Sequence, residues 1–285
     1  MMDKDCYLKK KNGDKLYVNV LENNEKVPNI IFIQTPIASV IDSKDTYLPL
    51  SKYGFNVFAL DLSGCGKSEG SMEKFSLENV KEDINTCVDF IIKNYNDVIH
   101  FYAGHGMGGI LAQYYLSGKT PIKSFAQYGV AIPNDLSITK NSTLIKFSYP
   151  ILSFVGKLFP ELKINFELIA NMKGYKGKNA ERENKWYEEL IKKDPKVTKM
   201  SIAFITNFFK MFLSKNSMIK NKPQCPVLVF APKYDRYTDF SYYEKYYNWL
   251  NNPKKIYVID DSHLSFIWHA EELCKVACEW FKENS

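Results

Sequence analysis

The chain has 285 residues, 45% hydrophobic and 25% charged, which suits one large α/β domain with an insertion, or two small domains, in a soluble globular protein. It holds no uncharged apolar run of the roughly 18 residues a membrane span needs, and its charge-rich start, Met1–Lys15, lacks the apolar stretch of a secretory signal. Its six cysteines, at 6, 65, 87, 225, 274 and 278, form no CxxC pair and have no histidine at metal-ligand spacing, so no metal is expected and a reduced, cytoplasmic setting fits best.

Tyr7–Lys11 and Lys15–Val20 are predicted strands around Asn12 and Gly13, a dipeptide suited to a tight hairpin turn. Asn29–Gln34 is a short, nearly all-apolar run of the kind that parallel sheets bury on both faces. Phe55–Leu60, Val98–Ala103, Phe125–Ile132, Pro226–Ala231 and Lys255–Ile259 repeat the pattern. Between these runs, helices are predicted at Asp45–Tyr53, from an N-cap at Ser76 to Tyr95, and at Met107–Leu116, Asp239–Leu250 and Phe266–Phe281. The alternation predicts an α/β fold with a mostly parallel, doubly wound sheet.

The segment from Pro133 to Pro223 breaks that rhythm. Leu144–Leu158, Trp186–Lys193 and Val197–Leu213 have helical periodicity, and no clear strand stands among them. Residues 140–222 carry 17 basic and 7 acidic side chains, a balance of +10 within a whole-chain charge of +6. The division expected is a core of 1–132 and 223–285 with a helical insertion at 133–222.

The strongest local signal is the run 101–109, FYAGHGMGG, which follows a buried strand and opens a helix. That is the setting of the strand–turn–helix elbow G-x-S-x-G. The run resembles the Gly-His-Ser-Met-Gly-Gly elbow of α/β-hydrolases, with Gly106 in place of serine. The resemblance extends over nearly the whole chain. The run 61–70, DLSGCGKSEG, is similar to the turn after the fourth strand in monoacylglycerol-lipase-like serine hydrolases. Asp235 follows the 226–231 run, where that family carries its acid, and His263 follows the 256–259 run, where it carries its general base. The order elbow, acid, histidine also agrees. HLSFIW at 263–268 resembles the family's His-x-x-Phe segment. The helical insertion falls where the family carries its cap, or lid.

The resemblance implies that serine attacks an acyl carbon, histidine takes its proton and aspartate orients the imidazole. Here Gly106 has no attacking oxygen. Elbow residues usually sit at strained positive φ, which glycine tolerates at little cost. The resemblance also places one oxyanion donor after the third strand. Aligned without gaps, the relevant positions are Gln34, Thr35 and Pro36, and proline has no N–H. A one-residue shift puts Ile37 there instead. Met107 N–H is the other donor, and His105 reads either as elbow packing or as an imidazole beside the pocket.

Other side chains have blander readings. His100 and His269 read as structural, Cys65 as a loop residue between glycines, and Ser262 and Ser265 as flanking His263 on the wrong side for attack. Asp260 and Asp261 compete with Asp235 as the acid but lie too close to His263 in sequence. Lys173, Lys176 and Lys178, interleaved with Tyr175, read as a solvated face or as a site for an anionic substrate or a membrane surface. Phe204, Phe208, Phe209 and Phe212 have the spacing of an apolar underside that faces the pocket or the core.

Three functions stay open. The favoured one is an enzyme without a covalent intermediate, in which His263 and Asp235 activate water or abstract a proton from a small or medium acyl- or ester-type molecule. The others are a non-catalytic pseudo-hydrolase serving as ligand sensor or scaffold, and a carboxylester hydrolase or lipase inactivated by a serine-to-glycine change. No cofactor is implied, and no nucleic-acid-binding motif is present.

Overall fold

The computed structural model describes residues 1–104, 106–138, 142–165, 175–193, 198–213, 219 and 221–285. The first hairpin pairs β1 (Met2–Lys9) with β2 (Lys15–Glu22), and Gly13 takes φ +95° at its turn. Next come β3 (Asn29–Ile33), β4 (Asn56–Leu60), β5 (Ile99–Ala103) and β6 (Ser124–Tyr128), each buried at every residue. The last two strands of the main sheet are β9 (Val227–Tyr234) and β10 (Lys254–Ser262). The order is β1-β2-β4-β3-β5-β6-β9-β10. β2 pairs antiparallel with β4, and every pairing from β4 to β10 is parallel. Such strands are covered on both faces, which is why they read as continuous apolar runs.

Helices cover both faces. α1 (Leu48–Ser51) lies on one of them; α2 (Leu77–Asn94) and α3 (Gly106–Leu116) lie on the other. α4 (Ser142–Leu158), α5 (Ala180–Lys193) and α6 (Ile202–Leu213) belong to the middle segment. α7 (Phe240–Trp249), α8 (Ser265–Trp268) and α9 (Ala270–Glu283) follow. Val80, Ile84 and Ile91 of α2 share a core with Leu111 of α3 and Tyr246 of α7. Leu50 of α1 shares the opposite core with Leu273, Cys274 and Phe281 of α9. As predicted, Ser76 caps α2, its Oγ accepting the Asn79 N–H at 3.1 Å.

Three expectations need correction. The middle segment does contain strands: β7 (Lys163–Asn165) pairs antiparallel with β8 (Lys199–Ser201), so the predicted helix from Val197 begins only at Ile202. Strands of three residues are too short to show periodicity, and their partners are distant in the chain. The predicted helix at Asp45–Tyr53 is split into a 3-10 stretch, Ile41–Thr46, and α1, whose first turn contains Pro49. The C-terminal helix is broken at His269, whose Nε2 lies 2.8 Å from Asp261 Oδ2.

His100 is fully buried on β5. Its Nδ1 lies 2.8 Å from Ser124 Oγ, and its ring stacks on Phe281 at 4.8 Å. Burial, helped by the Lys123 charge, pushes its pKa down from 6.5 to about 4. Between those values the unfolded chain binds a proton that the native chain resists, so stability falls as pH drops. We expect urea unfolding to show a loss of at most about 3 kcal/mol from this group between pH 7 and pH 4. His100→Gln removes the titration and is expected to flatten that limb; an unaltered acid limb would refute the assignment.

Candidate active site

The sheet register brings two distant residues together. β9 and β10 are neighbours, and Tyr234 pairs with Ser262 at their ends. The next residue on each strand is Asp235 and His263. His263 Nδ1 lies 2.9 Å from Asp235 Oδ2, and both side chains are buried. Asp235 also accepts from the N–H groups of Tyr237 (2.7 Å) and Thr238 (3.2 Å) through Oδ1, and from Tyr243 Oη (3.0 Å) through Oδ2. Burial pushes the Asp235 carboxyl up, but His263 and these donors together outweigh it and hold the group below its ordinary value. An ionised carboxylate only accepts, so Nδ1 carries a proton, and in the neutral tautomer with that proton the lone pair is on Nε2.

Aromatic rings hold the imidazole in place. Tyr237 meets it edge-on at 4.5 Å and 88°. Tyr128 Oη donates to the His263 carbonyl at 2.7 Å and lies 2.9 Å from Ser265 Oγ. Asp260 instead pairs with Lys178 at 2.6 Å, and Asp261 with His269. Of the three candidate acids, only Asp235 is seated on the Nδ1 of His263.

The elbow lies opposite this ring. Among the described residues, chain neighbours and the helix's own backbone aside, a Cβ added to Gly106 would lie nearest His263 Cε1, at 3.8 Å, an ordinary contact. Cε1 is bonded to Nε2, so the space a side chain would occupy at 106 borders the proton-accepting edge of the imidazole. Gly106 opens α3. The residue has been taken into the first helical turn.

Close packing is concentrated on its neighbours. Gly129, at φ +85°, presses on Gly106 so closely that a Cβ there would lie 2.3 Å from the Gly106 carbonyl oxygen and 2.6 Å from its Cα. A Cβ on Gly109 would lie 2.2 Å from the Tyr128 carbonyl oxygen. The β6 end and the start of α3 therefore touch backbone to backbone, which only glycine permits.

The loop after β3 abuts the same helix start, since a Cβ on Gly108 would lie 2.6 Å from the Ile33 carbonyl oxygen and 2.9 Å from the Gln34 carbonyl carbon. Gln34, Thr35 and Pro36 are buried there, Ile37 is half-buried, and the Gln34 amide donates to Ser43 Oγ. Pro36, two residues beyond Gln34, has no N–H to offer. Met107 occupies the second position of α3. His105 lies outside the described residues, as does Lys173.

The 61–70 turn is a brace. Asp61 accepts from Val40 N–H (2.8 Å), Lys67 N–H (2.9 Å) and Ser39 Oγ (3.0 Å), tying the loop after β3 to the turn after β4. Cys65 is buried, and burial pushes its thiol up, away from nucleophilic character. The phenylalanine row of α6 faces the core: Phe204 meets Phe75 at 4.8 Å and stacks with Phe208. Phe209 is half-buried, and the Phe212 side chain lies outside the described residues. Lys178, besides its pairing with Asp260, lies over the Tyr234 ring at 5.0 Å, and Lys176 is exposed. Among the described residues, no three His, Cys, Asp or Glu side chains converge as a metal-binding group, and no helix is long and apolar enough to cross a membrane.

Sequence reasoning passed over Tyr243, Arg236 and Glu183. The sequence signal Arg236 carries is its adjacency to Asp235. Glu183 carries no local signal, because its partners are brought to it by the fold.

No curated protein matches the chain. Among solved structures, it is similar to DcsB in complex with its substrate analogue, at 15% identity, 99% of each chain and TM-score 0.73. It is also similar to the monoacylglycerol lipase of Paleococcus ferrophilus, at 18% identity, 95% of this chain, 99% of the other and TM-score 0.70. A third is a soluble variant of Saccharomyces cerevisiae monoglyceride lipase bound to a substrate analog, at 18% identity, 100% of this chain, 97% of the other and TM-score 0.70. These identities establish a shared fold. Family membership comes from a sequence model described as serine aminopeptidase, S33, which matches residues 44–263 and so spans the elbow, Asp235 and His263. The chain belongs to that family, and its fold is the α/β-hydrolase fold.

Proposed function

We propose that the protein is an enzyme that hydrolyses a small or medium acyl ester without a covalent intermediate. One observation carries the reading: a buried, hydrogen-bonded His263–Asp235 pair borders the side-chain-sized space at Gly106. A water in that space donates to Nε2 and attacks the acyl carbon. Nε2 takes the proton as the new C–O bond forms, and returns it to the departing alkoxide as the ester bond breaks. An acid and an alcohol leave. Asp235 stabilises the imidazolium formed between the two steps. Met107 N–H, at the positive end of α3, is the donor assigned to the developing oxyanion. Pro36 supplies none, which lowers the rate expected; Ile37 is the neighbouring alternative.

In this reading 133–222 acts as the cap. Phe147, Ile151, Phe154 and Leu158 form an exposed apolar row along α4. In a segment of net charge +10, that row supports contact with an apolar substrate or an anionic lipid surface.

Turnover of p-nitrophenyl esters of graded acyl length tests the reading. His263→Ala is expected to reduce kcat by about 10²- to 10⁴-fold. Turnover that is indifferent to His263 would sink the mechanism, and no turnover of any ester would favour a ligand-binding descendant.

A further inference from the structure

We propose that Glu183, on α5, is a positioning residue that holds the His263–Asp235 pair in register by clamping both loops that carry it. This deepens the function proposed above and rests on His263 and Asp235 being the working pair.

Glu183 is completely buried, and each of its carboxylate oxygens has its own task. Oε1 accepts the backbone N–H of Leu264 at 2.8 Å, and Leu264 directly follows His263. Oε2 lies 3.4 Å from Arg236 Nη1, and Arg236 directly follows Asp235. One side chain from a separate segment thus bridges the residue after the base and the residue after the acid. Neither loop can drift without breaking a buried, charge-assisted contact.

The other half of the clamp is equally confined. The Arg236 side chain is 2% exposed, and its guanidinium lies over the Tyr187, Tyr175 and Tyr237 rings at 4.6, 5.2 and 5.4 Å. Tyr237 is also the ring that meets the His263 imidazole edge-on, and its hydroxyl lies 3.3 Å from that of Tyr187 on α5. The imidazole is therefore held from two sides by groups anchored to α5: its backbone through Glu183, its ring through Tyr237. A buried carboxylate is costly without partners, and these are the partners that satisfy it.

Geometry of this kind has a spectroscopic signature. A histidine Nδ1–H bonded to a carboxylate gives a low-field proton resonance whose exchange with water reports how firmly the pair is held. Measured in the otherwise unchanged protein, Glu183→Ala is expected to speed that exchange at least about tenfold, the scale of one charge-assisted hydrogen bond. Glu183→Gln keeps an acceptor for Leu264 N–H and is expected to recover part of the loss. Tyr187→Phe, which removes the hydroxyl contact to Tyr237 but leaves the carboxylate, is expected to speed exchange less than Glu183→Ala does. An unchanged rate in Glu183→Ala would overturn the proposal, as would equal acceleration by Tyr187→Phe. If the alanine variant does not fold, Glu183→Gln decides: a rate equal to that of the parent overturns the clamp.

Ester turnover separates this proposal from the function on which it rests. Where turnover is present, the clamp requires kcat to fall in Glu183→Ala with KM held. If no ester is turned over but the Nδ1–H signal still depends on Glu183, the function fails and the clamp stands. If turnover depends on His263 but neither the signal nor kcat depends on Glu183, the clamp fails alone.

Discussion

Gly106→Ser is expected to turn this protein into a conventional serine esterase. Among the described residues, chain neighbours and the helix's own backbone aside, the atom nearest the added Cβ is His263 Cε1, at 3.8 Å, which is an ordinary contact. Its hydroxyl would stand beside Nε2, with Asp235 already seated on Nδ1. Loss of a serine nucleophile costs a complete triad about 10⁶-fold in kcat. A missing oxyanion donor, as Pro36 implies, removes about 10²- to 10³-fold. The gain expected is therefore about 10³- to 10⁴-fold in p-nitrophenyl butyrate hydrolysis, with stoichiometric labelling by a fluorophosphonate. A variant that is folded yet neither labelled nor faster would show that the site had lost more than its nucleophile. Full esterase activity would favour a recently inactivated ancestor.

Gly129→Ala is expected to be among the most destabilising single changes in the core. Its Cβ would lie 2.3–2.7 Å from three backbone atoms of Gly106, and backbone cannot step aside as a flexible side chain can. The residue also sits at φ +85°, which an L side chain rarely adopts. Overpacking and backbone strain together predict a loss of about 2–5 kcal/mol. Urea unfolding of the variant checks it, and a midpoint matching the parent would refute the packing argument. Combined with Gly106→Ser, the same change is expected to erase the esterase gain, because relieving the clash moves the elbow away from His263.

The sheet was legible because its inner strands are buried on both faces and read as short apolar runs between turn residues, as Asn29–Ile33 and Ile99–Ala103 do. The β7–β8 pair was not, since three-residue strands carry no periodicity and their pairing is non-local. In the proposed site, motif and order singled out Gly106, Asp235 and His263 as candidates. The choice of Asp235 over Asp260 and Asp261 became a geometric fact only when the Tyr234–Ser262 register set Asp235 beside the imidazole.

By itself, the sequence determined the α/β-hydrolase family and singled out Gly106 as the candidate elbow position, because the elbow and the acid–histidine order are local patterns. Tertiary structure alone decided what surrounds that position. It bonded His263 to Asp235, laid Gly129 against Gly106, and carried Glu183 across to Leu264 and Arg236. Such contacts join residues far apart in the chain through close packing and burial, which one-dimensional spacing does not encode.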